Sequence, residues 1–395
     1  MKLLSLVGRK REILSTDLDN YDSEITEIIE NSSFLVVGGA GSIGQAVVRE
    51  IFSRKPKRLY VIDISENNLV ELVRDLRSSL GYIPGDFQVF ALDAGSTHFL
   101  ELLKSCDPFD FVLNLSAMKH VRSEKDAYTL MRLLDVNLLN VIACLDVLKQ
   151  KGGSKYFAVS TDKAANPANL MGASKYLMER YLLAQSHQIP FSSARFANVA
   201  FSDGSLLFGF EQRIQKRQPL SAPSDIKRYF ITPSEAGKIC LFSCILGENR
   251  DIYFPKLSKN LHEITFSKIA LNYLKSIDKK PIFCENEQEA REYLLLAENS
   301  TDWPCYFFES DTTGEKDFEE FYTSDEIVNL STYVDLGIIK NAEVSDNLGI
   351  ISFIEKITEL QREAVYDRSI LVSLFNDTIH QLDHKETGKF LNDKM

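Results

Sequence analysis

The sequence predicts an α/β protein: a doubly wound parallel sheet, a smaller α/β lobe and a helical C-terminal extension. Three observations predict it. Short apolar runs at 34–37, 58–62, 88–92, 111–115 and 156–160 show no polar alternation, as in strands covered on both faces. Between them apolar residues recur at helical spacing. The first run leads straight into a turn bearing Gly38, Gly41 and Gly44.

At 395 residues the chain has room for two interlocked units. The expected division is an N-terminal extension (1–32), a nucleotide-binding unit with the catalytic stretch (33–200), a region that is mainly substrate lobe (201–340) and a helical tail (341–395). Hydrophobic residues at 44% and charged residues at 26% are enough for a sizeable core. A net charge of −11 argues against a nucleic-acid partner, so an anionic ligand must meet local cations. The six cysteines have no CxxC spacing, which points to a reduced intracellular chain without structural zinc and with no metal site. At the N-terminus the basic residues follow the apolar run, the wrong order for a signal peptide. No run reaches the length of a membrane span, and the expectation is a soluble, cytoplasmic protein.

The extension is expected to be helical around 24–30. Strand 34–37, the glycine turn and a helix over 45–52 open a dinucleotide-binding unit of Rossmann type. Gly38, Gly41, Ser42, Ile43 and Gly44 are its cofactor-binding residues: glycine permits close backbone approach to a pyrophosphate, and the helix N-terminus faces the negative charge. The second strand ends in Asp63, roughly 20 residues on. A carboxylate there accepts from ribose hydroxyls and repels a 2′-phosphate, which selects NAD over NADP. The third strand ends in Asp93, expected near the adenine.

The fourth strand runs into Ala117, counted with the cofactor residues, and then Lys119 and His120, placed for substrate contact. A helix from about 128 carries Asn137, counted with the substrate-binding residues as a candidate for organising backbone and water near the active site. The fifth strand delivers Thr161, Asp162 and Lys163 to the sheet edge where open α/β folds hold their chemistry. Met171 and Lys175 follow on the next helix.

These residues resemble the extended short-chain dehydrogenases/reductases, and more narrowly the nucleotide-sugar 4,6-dehydratases that act on UDP-N-acetylglucosamine in bacterial polysaccharide and glycan synthesis. The motifs that carry it are Gly38-x-x-Gly41-x-x-Gly44, Ala117-Met-Lys-His-Val121, Ser160-Thr-Asp-Lys-Ala-Ala-Asn-Pro167 and Met171-Gly-Ala-Ser-Lys175. Arg195-Phe-Ala-Asn-Val199, Asp203-Gly-Ser205 and Lys227-Arg-Tyr-Phe-Ile-Thr232 resemble later family segments. The resemblance covers roughly 33–250. Beyond about 250 it weakens: 313–320 resembles a further family segment, but Thr312-Thr313 stand where that segment has Arg-Pro.

The resemblance implies a sequence of C4 oxidation by bound NAD, elimination of water across C5 and C6, and hydride return to C6. It makes Asp162 the acid and Lys163 the base. Both roles need shifted pKa values: burial favours those shifts, and a close Asp–Lys pair opposes them. Lys175 would hold the nicotinamide ribose, and Thr161 the 4-hydroxyl. Asn198 matches the position that contacts the sugar-phosphate, and Arg228 the position that binds the pyrophosphate. Most superfamily members carry tyrosine where this chain has Met171. That variant resembles the branch that retains configuration at C5, often built onto membrane segments of which this sequence shows no run.

The tail, with apolar residues at helical spacing over 350–360 and 370–379, is expected to form one or two amphipathic helices, with a dimer contact slightly favoured over packing within the chain. The leading expectation is a UDP-N-acetylglucosamine 4,6-dehydratase, as a homodimer or higher homo-oligomer. Its rivals are the same reaction on a GDP-linked sugar, a nucleotide-sugar epimerase, and a non-catalytic NAD-binding module.

Overall fold

Strand β1 (Ser33–Val37) lies deep in a nine-stranded sheet, all five of its residues buried. In this computed structural model residues 3–257, 261–296, 301–310, 319–341 and 348–384 are described. Beyond β1 come β2 (Arg58–Asp63) and β3 (Asp86–Ala91). On its other side are β4 (Phe111–Asn114), β5 (Lys155–Thr161), β6 (Phe191–Phe196) and strand Asp251–Pro255. These seven run parallel. Leu336–Lys340 and Val328–Asn329 add two antiparallel strands at one edge. The order reverses between β1 and β4, and in open α/β sheets the crevice at such a reversal, outside the strands' C-terminal ends, takes the ligand.

The expected strands are present, with ends moved by one or two residues. The third is Asp86–Ala91, leaving Asp93 in the following turn, and the fourth stops at Asn114. The division at residue 200 needs a larger correction. Helix Pro233–Leu246 packs on helix Ser42–Ser53, and the buried strand Asp251–Pro255 pairs with β6. Both therefore belong to the main sheet, as does Leu336–Lys340. The lobe proper holds a three-stranded parallel sheet of Lys280–Cys284, Asp302–Phe308 and Leu220–Pro223. Its core includes Phe210, Tyr273 and Trp303.

The N-terminal extension is a brace. Leu6 and Val7 pack into the lobe core, whereas Ile25 and Ile29, on helix Ser15–Glu30, join the main core. Between them Arg9 donates to Glu235 across 2.8 Å with both side chains buried. Asp17 accepts from the backbone N–H groups of Val334 and Asp335, closing a gap of more than 300 residues in sequence.

The tail forms helices Leu348–Arg362 and Arg368–Thr378, as expected, but their apolar faces are buried within the chain. Phe353, Ile357, Leu371 and Phe375 share a core with helix Leu170–Gln185 and helix Ala127–Leu134. The dimer contact slightly favoured from the sequence is thus not how these faces are used. Hydrophobic side chains on helices 15 residues long or shorter bury most cheaply against a neighbour already tethered to them.

Candidate active site

The glycine turn is closed by Gly38 N and Gly39 N, both donating to Ile62 O of β2. Gly38 has φ +74°, and a Cβ there would come within 2.7 Å of Ser116 N. A Cβ on Gly44 would lie 2.1 Å from Gly38 O, so the helix must have glycine to pack on the turn. Gly41 caps helix Ser42–Ser53 with backbone alone, and a Cβ there would meet nothing nearer than 3.6 Å. The first N–H groups of that helix are therefore directed to an open approach suited to an anion. Asp63 stands at the end of β2. Its Oδ2 accepts from Ala40 N at 2.9 Å, and its Oδ1 from Ser65 N at 2.9 Å. It shapes the turn it was expected to serve. Asp93 is committed to protein partners: Arg132 at 2.7 Å and the N–H of Gly95 at 2.9 Å.

After β4 the chain passes through Ala117 and Met118 in a loop fixed by Asn137. The Asn137 amide accepts from Met118 N and donates to Met118 O and to Ser174 Oγ. It sits on a π-helical turn (Asp135–Leu139) and is 0% exposed. The hydrogen bonds it makes here are to backbone and to Ser174, which is the backbone part of the expected role. Lys119 Nζ donates to Ser202 Oγ at 3.1 Å, and burial lowers its pKa while Asp203 opposes that. Burial, with Lys119 and Arg122 nearby, lowers His120 to about 4, so its imidazole is neutral at neutral pH. Gly204 lies against that ring, since an added Cβ would reach Nε2 at 3.0 Å. Ser42 Oγ accepts from Asp203 N at 2.9 Å, which joins this cluster to the glycine helix.

At the end of β5 the backbone tightens into a single turn, Asp162–Ala164. The Thr161 hydroxyl donates to Asp162 Oδ1 at 2.8 Å. Lys163 Nζ donates to the same carboxylate, at 3.2 Å to Oδ1 and 3.4 Å to Oδ2. Asp162 is buried. Burial alone would lower Lys163, but Asp162 and Glu319 outweigh it and its pKa is raised. The opposition that the sequence left open is resolved in this state in favour of the charged lysine. Lys175 is buried one helix turn beyond Met171 and donates to Val159 O at 3.1 Å. Burial lowers it to about 8, with Glu179 opposing. Met171 is 5% exposed, and its N–H donates to Oε1 of buried Glu124 at 3.0 Å.

Asn198 and Arg228 face each other across a carboxylate that the sequence reading did not single out. Glu319 Oε1 accepts from Asn198 Nδ2 at 2.7 Å and lies 3.7 Å from Arg228 Nε, while Oε2 accepts from Tyr229 N at 2.9 Å. Neighbouring Glu320 accepts from Asn166, in the stretch that follows β5, at 2.9 Å. Glu319 and Glu320 end the weakly matching 313–320 segment, which was the one available signal; residues 311–318 of that segment, with Thr312 and Thr313, lie outside the described residues. Glu124, Ser174 and Ser202 were also missed, because nothing in their local sequence marks a residue that bonds to side chains or backbone 37, 47 or 83 positions away. Among the described residues no group of His, Cys, Asp and Glu is arranged to hold a metal ion.

A family model described as polysaccharide biosynthesis protein matches residues 34–301. An uncharacterized membrane protein of Methanocaldococcus jannaschii is 28% identical over 87% of this chain and 99% of its own length. Among the described residues here, no helix is long and apolar enough to cross a membrane. The capsular polysaccharide biosynthesis protein CapD of Staphylococcus aureus is 27% identical over 65% of this chain, which spans only 43% of that relative. The inverting UDP-N-acetylglucosamine 4,6-dehydratase of Campylobacter jejuni (strain 81-176) is 26% identical over 58% of this chain and 68% of its own. Among solved structures, Pen from Bacillus thuringiensis aligns with a TM-score of 0.62 at 20% identity, over 85% of this chain and 99% of that one. A double mutant of the dTDP-glucose 4,6-dehydratase DesIV from Streptomyces venezuelae, with NAD bound, aligns at 0.52 and 17% identity, over 62% and 80%. The two structures share the fold found here.

Proposed function

Since the chain belongs to the polysaccharide biosynthesis protein family, we propose that it is an NAD-dependent UDP-N-acetylglucosamine 4,6-dehydratase that retains configuration at C5. The reading is carried by one observation: buried Asp162, paired with half-buried Lys163, stands at the sheet edge, with Lys175 on the next helix and an Asn198–Arg228 anion site facing the pair. The glycine turn fits NAD, with its unobstructed helix N-terminus for a pyrophosphate and Asp63 for the ribose. Support for the substrate class comes from the family and from the Campylobacter relative. That relative is named as inverting, so retention rests on Met171 alone.

When bound, NAD supplies the acceptor for hydride from C4 and the donor for its return to C6. Removing C4 hydrogen makes the C5 proton acidic, and the protein then needs one base and one acid. Lys163 takes the proton from C5, and Asp162 gives one to the departing 6-hydroxyl. The ion pair in this structure and the neutral pair that this step requires hold the same number of protons. A single proton transfer between Nζ and Oδ1, 3.2 Å apart, interconverts them. Elimination leaves Lys163 protonated and Asp162 ionised, which regenerates the resting pair. Lys175, lowered to about 8, brings a partly charged ammonium to the ribose side. The proton of the 4-hydroxyl has no tyrosine to go to. Lys119, whose pKa burial lowers, is the group at the end of β4 suited to accept it once neutral, whereas the His120 imidazole, lowered to about 4, is too weak a base for that step.

The test is incubation with UDP-N-acetylglucosamine in deuterated water without added cofactor, followed by NMR of the sugar. A 4-keto-6-deoxy product bearing deuterium at C5 with retained configuration supports the full reading. Inversion at C5 keeps the dehydratase and removes the argument from Met171. A C4 epimer with its 6-hydroxyl intact identifies an epimerase. Turnover of only a GDP-linked sugar moves the base specificity, and NAD binding without turnover of either leaves a binding module.

A further inference from the structure

We propose that the Glu319 carboxylate is the resident occupant of the substrate's diphosphate subsite, held by Asn198 Nδ2, Tyr229 N and Arg228, and that an anionic substrate enters by displacing it. The inference rests on the functional reading above for the identity of the anion, but the subsite itself is defined by its donors. Two N–H groups converge on the two carboxylate oxygens at 2.7 and 2.9 Å, with the guanidinium Nε at 3.7 Å. Such a set recognises an oxyanion whatever molecule carries it. Arg228 is itself oriented by donation to Lys227 O at 2.8 Å.

The occupant has partners on both carboxylate oxygens but is electrostatically uneasy. Glu319 is 6% exposed, and its charge faces that of Asp162. The cations opposing these effects are Lys163, at the end of β5, and Arg228. The Tyr229 phenol, itself facing Glu263, completes the titratable surroundings. Burial and Asp162 prevail and raise the Glu319 carboxyl to about 7. The residue thus changes charge across neutrality, unlike an ordinary glutamate. A cavity of about 350 Å³ opens beside it, lined by Phe254, Lys256, Leu257 and Glu320 among others, and gives the displaced side chain somewhere to go.

Substrate binding then competes with the ionised carboxylate. If the subsite accepts a diphosphate only when Glu319 has lost its charge, the apparent Kd grows as one plus the ratio of ionised to protonated Glu319. That is about tenfold between roughly pH 6 and pH 8. The experiment is calorimetric titration of the full chain with UDP-glucose and GDP-glucose, whose diphosphate diesters keep a constant charge over that range. Wild type should weaken about tenfold with rising pH. Glu319→Gln should bind at both pH values as wild type does at the lower one, and Glu319→Ala should change affinity in the same direction. Equal or weaker binding by both variants at the higher pH overturns the proposal and makes Glu319 a structural group. If neither nucleotide sugar binds any form, the functional reading fails separately. Inorganic pyrophosphate then probes the subsite: tighter binding to Glu319→Gln than to wild type upholds the displacement, and equal binding refutes it.

Discussion

Lys163 Nζ stands 3.2 Å from Asp162 Oδ1, close enough for the two residues to hold one exchangeable proton between them. Groups that act as one unit lose their function together. Asp162→Asn and Lys163→Ala should each lower kcat by about 10³-fold or more, and the double variant should be scarcely worse than either. Steady-state kinetics on UDP-N-acetylglucosamine measures all three, and retained NAD absorbance shows that the cofactor site survives. Additive losses would mean that the two residues serve separate steps.

Asp63 has two tasks that one substitution separates. Its Oδ2 fixes Ala40 N in the glycine turn and its Oδ1 accepts from Ser65 N, and the proposed function gives its remaining lone pairs to a cofactor ribose. Asp63→Ala should weaken NAD binding by about 2–3 kcal/mol, combining a lost charged acceptor with an N–H left without its partner. Fluorescence titration with NADH measures it. Asp63→Asn keeps an acceptor for Ala40 and should recover part of the loss.

The strands, the glycine turn and the Thr161–Lys163 stretch were legible because each is a local pattern: an apolar run, a dihedral requirement, a polar triplet at a strand end. Lys163 shows where legibility stops. Its charge state depends on Glu319, more than 150 residues away, and only folding brings them together. Asn137 shows the other limit. Its residue type suggested polar work near the site, but the fully buried amide spans the Met118 backbone and Ser174, a role fixed by the π-helical turn that no composition reveals. The division at residue 200 was misplaced because strand Asp251–Pro255 carries no mark of the sheet it joins.

Met171 is held through its backbone as well as its side chain. Its N–H donates to Glu124, whose own backbone carbonyl accepts from Arg368 Nε at 2.6 Å. Truncating the buried thioether in Met171→Ala should cost about 2–5 kcal/mol of stability by the cavity it leaves. Turnover should fall far less than in Asp162→Asn. Chemical denaturation and kcat, measured on the same preparation, separate the two effects. A rate loss as large as that of Asp162→Asn would show that the sulfur side chain takes part in the chemistry.

Lys175 gives a pH signature. Its folded pKa of about 8 lies below the unfolded value near 10.4, so between these limits the unfolded chain binds more protons than the native one. Stability therefore rises with pH in that window, and below about pH 8 the cost of burying the ammonium is present in full. Relative to Lys175→Met, the wild-type apoprotein should gain about 3 kcal/mol as pH climbs from about 8 to about 10.5. Urea unfolding at a series of pH values, with the variant as reference, cancels the contribution of other lysines. A constant difference between the two proteins would refute the buried-ammonium account.

Phe375 tests whether the tail is an ornament or a support. Its ring is fully buried and lies 5.1 Å from that of Phe353, in the core shared with the helix that carries Met171 and Lys175. Beyond it the chain returns to the stretch that follows β5: Asp383 N donates to Pro167 O at 3.1 Å, and His384 Nε2 lies 3.3 Å from Glu124 Oε2. Phe375→Ala should lower unfolding stability by about 3–5 kcal/mol. Because Asp162, Lys163 and the glycine turn belong to the parallel sheet, NAD affinity well below the melting temperature should change little. The turn at Pro167 and the Met171 N–H depend on the tail, so kcat should fall while NAD remains bound. Intact kcat in a destabilised variant would make the tail a cover for apolar surface and nothing more, since the contacts to Pro167 and Glu124 would then have no bearing on the site.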